Sequence, residues 1–286
     1  MSSPARWSSD VGLIRLSGPD TLRFLHGQSS QDLALAPVGA CLATCLISPT
    51  ARMRGLALVL VQPGGADLVL LAGDGAAIRQ ALDRVLFPAD QVSLGPLQSA
   101  TLVRLIDSDS ATAPPTAEGL LRPAVDLGGG RDAALLLLGA GEALPAWAEA
   151  LPELDAEQAE RRRLRHGLPA APGELNDSTN PFELGLADWV SLSKGCYVGQ
   201  ETLAKLSTYD GVKQQLRHWR SATAPDSNLN TAAGERAGVI TSSLAGPEGW
   251  EGLALVRRSA LAEPTLQSGD AVLSLSVPLG FSAPPG

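Results

Sequence analysis

Past Lys205 the chain changes texture, and that change limits the architectures open to it. Residues 212–219, 237–241, 252–256 and 271–277 are short β-like runs, separated by stretches of Gly, Pro, Asn and Ser. Strands this short, punctuated this way, predict a small β-barrel or sandwich. The residues before Lys205 mix helix-like and strand-like patterns, so the chain reads as α+β with an all-β end. At 286 residues it is long for one small core, and two or three domains are expected. Apolar residues make up 44%, enough to fill such cores, but only 4% are aromatic, so Ala and Leu do the filling.

Taken in order, residues 11–16 alternate as a strand. Ser17-Gly18-Pro19-Asp20 then opens a helix, with Pro19 near its first turn and Asp20 complementing the dipole; His26-Gly27-Gln28 ends it. Residues 40–47 read as a buried strand carrying Cys41 and Cys45. Four apart on a strand, these two face one side, so both are expected to be core thiols. The turn Ser48-Pro49-Thr50-Ala51 leads to strands at 53–61 and 67–71, and residues 74–86 look helical, with Ile78, Leu82 and Val85 on one stripe. The Ser-, Thr-, Ala- and Pro-rich stretch 107–118 predicts a linker or long surface loop. Residues 135–138 are a short buried strand. A charged helix over 155–166 carries Arg161, Arg162, Arg163 and Arg165; such a run predicts a solvated face, or a means of offsetting a polyanionic ligand.

Composition narrows the function. A net charge of −8 argues against a general nucleic-acid binder. Three cysteines, Cys41, Cys45 and Cys196, are too few for a disulfide framework, and their odd number fits a reducing compartment. His26, His166 and His218 are scattered without metal-ligand spacing. The first residues lack a secretory pattern and no stretch approaches ~20 uncharged apolar residues. A soluble cytoplasmic protein is expected, with no membrane contact. The absence of GxGxxG and Walker A sequences sets aside nucleotide-cofactor enzymes.

The chemistry is concentrated in Lys194-Gly195-Cys196-Tyr197-Val198-Gly199-Gln200-Glu201, which supplies a cation, a thiol, a phenol, an amide, a carboxylate and two glycines. The glycines let the backbone turn sharply or let a ligand approach. Gln200 to Leu206 reads as a short helix. Cys196 then lies ahead of a helix N-terminus and two residues from an ammonium, and both features favour thiolate.

This string resembles the K-G-C-Y-x-G-Q-E signature of the YgfZ-type folate-binding family, relatives of the glycine-cleavage T-protein. Thr179-Asn180-Pro181-Phe182-Glu183-Leu184-Gly185-Leu186 and Thr208-Tyr209-Asp210-Gly211-Val212-Lys213-Gln214 are similar to flanking segments of one branch of it. So is the amino-terminal run from Ser17 through Phe24-Leu25 and Gly27-Gln28 to Gln31-Asp32-Leu33. The match covers most of the chain, with gaps around 107–149. One departure is that Ala51 precedes Arg52 where the family usually carries a glycine.

The resemblance implies a multi-lobed, aminomethyltransferase-like α+β fold with a C-terminal β-barrel. The lobes would span 1–107, 108–206 (ending in the motif) and 207–286. It implies a monomeric tetrahydrofolate-binding accessory protein that supports assembly or repair of iron–sulfur clusters in client enzymes. Cys196 would be the key catalytic residue, with Lys194 of the same motif as the second. Tetrahydrofolate or a one-carbon derivative would contact Gln28, Asp32, Arg52, Gly195, Tyr197, Gly199, Gln200 and Glu201, and no resident metal is implied. A rival is a folate-dependent aminomethyl transferase, whose chemistry relies on a carboxylate beside the folate. The matching stretches here, Arg52-Met53-Arg54-Gly55-Leu56 and Arg163-Leu164-Arg165-His166-Gly167, contain no acid. A third reading is a folate-binding scaffold in which Cys196 only packs. Whether the chain is an enzyme therefore stays open at the level of sequence.

Overall fold

A computed structural model describes residues 4–106, 119–131, 133–208 and 211–284. The stretch read as a linker, 107–118, lies outside them, as do the expected lobe boundary at 107/108 and Tyr209 and Asp210 of the downstream segment.

The elements run β1 (Ala5–Ser17), α1 (Thr21–Gln28), β2 (Cys41–Ile47), β3 (Met53–Gln62), β4 (Gly65–Gly73), α2 (Gly75–Arg84), β5 (Ser93–Ile106), β6 (Leu120–Leu121) and β7 (Leu135–Leu138). Then come α3 (Ala146–Glu149), α4 (Ala156–His166), α5 (Gln200–Thr208), β8 (Gln214–Ser221), β9 (Asn228–Asn230), β10 (Arg236–Gly246), β11 (Gly249–Arg257), β12 (Thr265–Ser268) and β13 (Ala271–Ser276). The first seven strands form one sheet, ordered β2-β3-β4-β1-β5-β7-β6, antiparallel at every pairing.

That sheet is covered on both faces, which is why its central strands read as near-continuous apolar runs. Along β3, Ala57 and Val59 face a layer built with Phe24 and Leu25 of α1 and Ile78 and Leu82 of α2. Leu56, Leu58 and Leu60 face the other way, toward Phe182, Trp189, Tyr197 and Leu203. Cys45 lies fully buried on this second face and Cys41 packs against it half-buried, so the two thiols do share a side.

The remaining strands close into a six-stranded barrel, β10-β11-β8-β13-β12-β9. Its interior is organised by Trp219, fully buried, whose Nε1 donates to Leu253 O at 3.1 Å. A Cβ at Gly252 would come within 2.6 Å of the Trp219 ring, so a glycine is what admits the indole there.

The arginine run on α4 is not a solvated face. Asp155 and Gln158 cap the helix reciprocally, and α4 lies across the outer face of the barrel. Arg161 and Arg165 bond to Glu251 of β11, Arg162 bonds to Gly128 O, and Arg163 donates to Leu168 O at 2.7 Å and Ser242 Oγ at 2.9 Å. Arg163 also lies 3.4 Å from the fully buried Glu174. The correction has a simple cause. Burying Glu174 and Glu251 requires cations beside them, and α4 is the element that reaches both.

Removing one member of a buried pair strands the other. Arg163→Ala should therefore lower the unfolding free energy by about 3 kcal/mol in urea denaturation. Adding Glu174→Gln should recover part of the loss, because an amide needs no counter-cation. A loss under ~1 kcal/mol for Arg163→Ala would show that this junction does not depend on the pair.

Candidate functional site

The site is built on an exposed backbone edge. β2 is the outermost strand of the sheet, and an uncovered edge presents unpaired N–H and C=O groups. The loop after α1 covers it. Ser30 N–H donates to Cys45 O at 3.1 Å, and Ser30 Oγ accepts from Cys45 N–H at 2.9 Å. The same residue reaches the motif-bearing segment: its Oγ lies 2.7 Å from Trp189 O, and its carbonyl accepts from Ser191 N–H at 2.9 Å. Gln31 extends the bridge, with Nε2 donating to Ala43 O at 3.3 Å and Asp188 O at 3.2 Å.

Lys194 then enters the end of α1. A helix C-terminus leaves carbonyls without partners. The Lys194 ammonium donates to His26 O at 2.5 Å, Ser29 O at 2.8 Å and Gln31 O at 2.6 Å, three donors for three acceptors. The Tyr197 ring stacks over it at 4.5 Å. Burial pulls the Lys194 pKa down to about 8, with Asp32 acting against it, so the side chain is charged at neutral pH. Its three hydrogen bonds point away from solution, into the protein backbone.

The other candidates separate into two groups. Gln200 Nε2 donates to Lys194 O at 3.2 Å, and Val198 N–H donates to Gly27 O at 3.1 Å, closing the loop onto α1. Gly199 has φ +81°, and a Cβ there would meet Ser48 O at 2.7 Å, so it packs directly on the β2–β3 turn. That turn keeps a left-handed residue although alanine occupies it: Ala51 is fully buried with φ 57°. Tyr197 is buried, burial raises its pKa to about 12, and its hydroxyl has no hydrogen-bond partner. Gly195 and Cys196 are exposed; a Cβ on Gly195 would meet only His26 Nε2, at 3.6 Å. Asp32 is exposed, 3.3 Å from His26 Nδ1, and Gln28 is half-buried on the last turn of α1.

Two residues are drawn elsewhere. Arg52 donates to Ser178 O at 2.7 Å, and its charge opposes the burial that raises the pKa of Glu183. Glu201 points outward from α5 and pairs with Lys205 one turn on, at 2.7 Å, because Leu203 turns the other face of that helix into the core.

Beside this assembly opens a cavity of about 400 Å³, lined by residues that include Gln31, Phe182, Asp188, Val190, Leu192 and Ser193. Asp188 was not a sequence candidate. It is a lone acid in Ala187-Asp188-Trp189, and only the 3-10 turn there, with the pairing of 282 to 186, brings it to the cavity. Both of its oxygens are engaged, by Ser282 Oγ at 2.8 Å and by Arg131. Among the described residues no group of three or more His, Cys, Asp or Glu is placed to hold a metal ion, and no helix is long and apolar enough to cross a membrane.

Comparison with known proteins gives the fold. The chain superposes on the crystal structure of the glycine cleavage system aminomethyltransferase T from Bartonella henselae with a TM-score of 0.79. The match covers 98% of this chain and 87% of the other, at 18% identity. The sheet and closed barrel together are the aminomethyltransferase T-protein fold. A chloroplastic protein of Arabidopsis thaliana, named a putative transferase, is 29% identical over 271 residues, covering 84% of this chain. The chain spans 62% of that relative's length. No family model matches the chain.

The geometry separates support from chemistry within the motif. Lys194→Met leaves three carbonyls without donors and should cost about 3 kcal/mol in chemical denaturation. Cys196→Ala, on an exposed side chain, should change stability by less than ~0.5 kcal/mol. Equal effects of the two would remove the distinction.

Proposed function

We propose that the chain is a tetrahydrofolate-binding accessory protein of the YgfZ type, which supports assembly or repair of iron–sulfur clusters in client enzymes and uses Cys196 as its working thiol. The observation that carries this reading is the contrast inside one loop. Lys194, Tyr197 and Gly199 are packed against the end of α1, the sheet face and the β2–β3 turn, while Cys196 between them is exposed. A thiol presented on a rigid support suits chemistry on a partner's cargo better than it suits packing.

The residues beside the loop fit a reduced folate. A volume of about 400 Å³ lies within the range of small-molecule sites. Phe182, Val190 and Leu192 offer apolar walls to a flat bicyclic ring, and Gln31, Ser191 and Ser193 offer polar groups to its edge. A bound tetrahydrofolate supplies the capacity to carry one-carbon units; the chain's own residues supply walls, edge partners and the thiol.

An aminomethyl transferase is the second reading, and Asp188 is the observation that favours it, as a carboxylate at the cavity. Its oxygens are already committed to Arg131 and Ser282, which leaves it less suited to proton transfer. In Arg52-Met53-Arg54-Gly55-Leu56, Arg54 is itself paired with Asp177, at 2.5 Å, on the surface.

Two measurements test the first reading. Tetrahydrofolate at ~100 times its dissociation constant should stabilise the fold by about 2.7 kcal/mol, in both the natural chain and Cys196→Ala. No thermal shift at any soluble concentration removes the folate assignment.

The thiol is tested separately. A mild alkylating reagent should label Cys196 first, because burial pushes the Cys41 thiol up to about 12 and pushes the fully buried Cys45 up as well. In cells lacking a functional homologue, Cys196→Ala should fail to restore activity of a cluster-dependent enzyme. Full rescue by that variant leaves a folate-binding scaffold as the better description.

A further inference from the structure

A second cavity, of about 350 Å³, opens where α4 lies on the outer face of the barrel. Three guanidiniums border it, Arg161 and Arg165 one turn apart on α4 and Arg220 on β8. They converge on a single buried carboxylate, Glu251. Arg161 bonds to Oε1. Arg165 Nε and His218 Nε2 share Oε2, at 3.3 and 3.1 Å, and Arg220 Nε comes no closer to it than 3.9 Å.

The cations around this carboxylate outnumber its charge. Burial pushes the Glu251 pKa up, but Arg165, His218 and Arg161 override it and hold the group ionised, so it contributes one negative charge. Arg161 has a second acid in Glu157, at 2.8 Å. Arg165 and Arg220 have no other side-chain acceptor among the described residues, and their side chains are 44% and 57% exposed. Glu248, on the exposed turn at the rim, is the one further acid lining the cavity, and it pairs with neither among the described residues. Guanidinium groups with unused N–H donors, held apart around a concave space, match the planar oxygens of a carboxylate or phosphate.

We propose that this cavity is a binding site for a small molecule carrying a carboxylate or phosphate group, seated between Arg165 and Arg220. It is distinct from the cavity beside the motif. Leu216 of β8 donates to Glu183 O, next to Phe182 of the motif cavity, whereas Ser221 borders this one. Five strand residues separate the two positions, roughly 17 Å. The arginines on α4 thereby serve both junction and ligand, with Glu251 holding their inner N–H groups and leaving the outer ones for an anion.

Calorimetric titration of the full chain at low salt, with inorganic pyrophosphate in one arm and citrate in the other, tests the site. Saturable binding is expected in at least one arm. Arg220→Gln should weaken it by about tenfold or more, and added NaCl should weaken it further. Arg220→Gln suits the purpose because its side chain is exposed and Glu251 keeps Arg161, Arg165 and His218; an unchanged melting temperature verifies the fold. Binding of pyrophosphate alone assigns phosphate ligands, of citrate alone carboxylates, and of both the shared oxyanion chemistry. No saturable heat in either arm, or binding that both Arg220→Gln and Arg165→Gln leave unchanged, overturns the proposal.

Discussion

Three backbone carbonyls, one in the last turn of α1 and two in the loop after it, converge on a point that nothing local can satisfy, and the Lys194 ammonium fills it from 163 or more residues away. The rest of the site depends on that insertion. Burying an ammonium without a carboxylate is costly, and here three carbonyl dipoles and the Tyr197 ring take the place of solvent. The gain is geometric. Once Lys194 is held, Gln200 closes on its carbonyl, Val198 closes on Gly27, and the chain between has little freedom except at the exposed Gly195 and Cys196.

The same economy governs the junction between sheet and barrel. The chain carries a net charge of −8, yet its densest group of arginines faces inward, toward Glu174 and Glu251. Leu164 belongs to the same buried apolar cluster as Leu216, Leu253 and Leu255, and that cluster supplies the non-directional part of this junction. The ion pairs fix how α4 lies on the barrel, because hydrogen bonds to two buried carboxylates tolerate little displacement.

Much of the architecture was legible in local pattern. The hairpin of β2 and β3, helices α2, α4 and α5, and four of the barrel strands follow from apolar periodicity and turn residues, since each buries a face whose spacing repeats. β5 was not legible. Gly95 and Pro96 interrupt any strand pattern there, and the first half of the strand is largely exposed, so no buried alternation marks it. It persists because it pairs with β1 along nearly its whole length, with a shift in register between Ile14 and Leu16 opposite that dipeptide, while β7 pairs only with residues 101–104. β9 and β12, three and four residues long, carry too little pattern to stand out and are defined by closure of the barrel.

Within the site, the sequence by itself determined which residue types stand together: an ammonium, a thiol, a phenol and two glycines within six positions, ahead of a short helix. Composition and spacing are local properties, and they survive folding unchanged. The tertiary structure alone decided what each group faces. Lys194 looks from the sequence like a neighbour for the Cys196 thiol, but its long side chain follows the strongest unsatisfied acceptors, which belong to α1 and the loop after it. Glu201 turns to solvent because Leu203 must turn inward. Asp188 reaches the cavity only through the packing of the 282 segment against 186. A charged side chain settles where desolvation is best compensated, and the groups that compensate it come from remote parts of the chain, so no local pattern contains the answer.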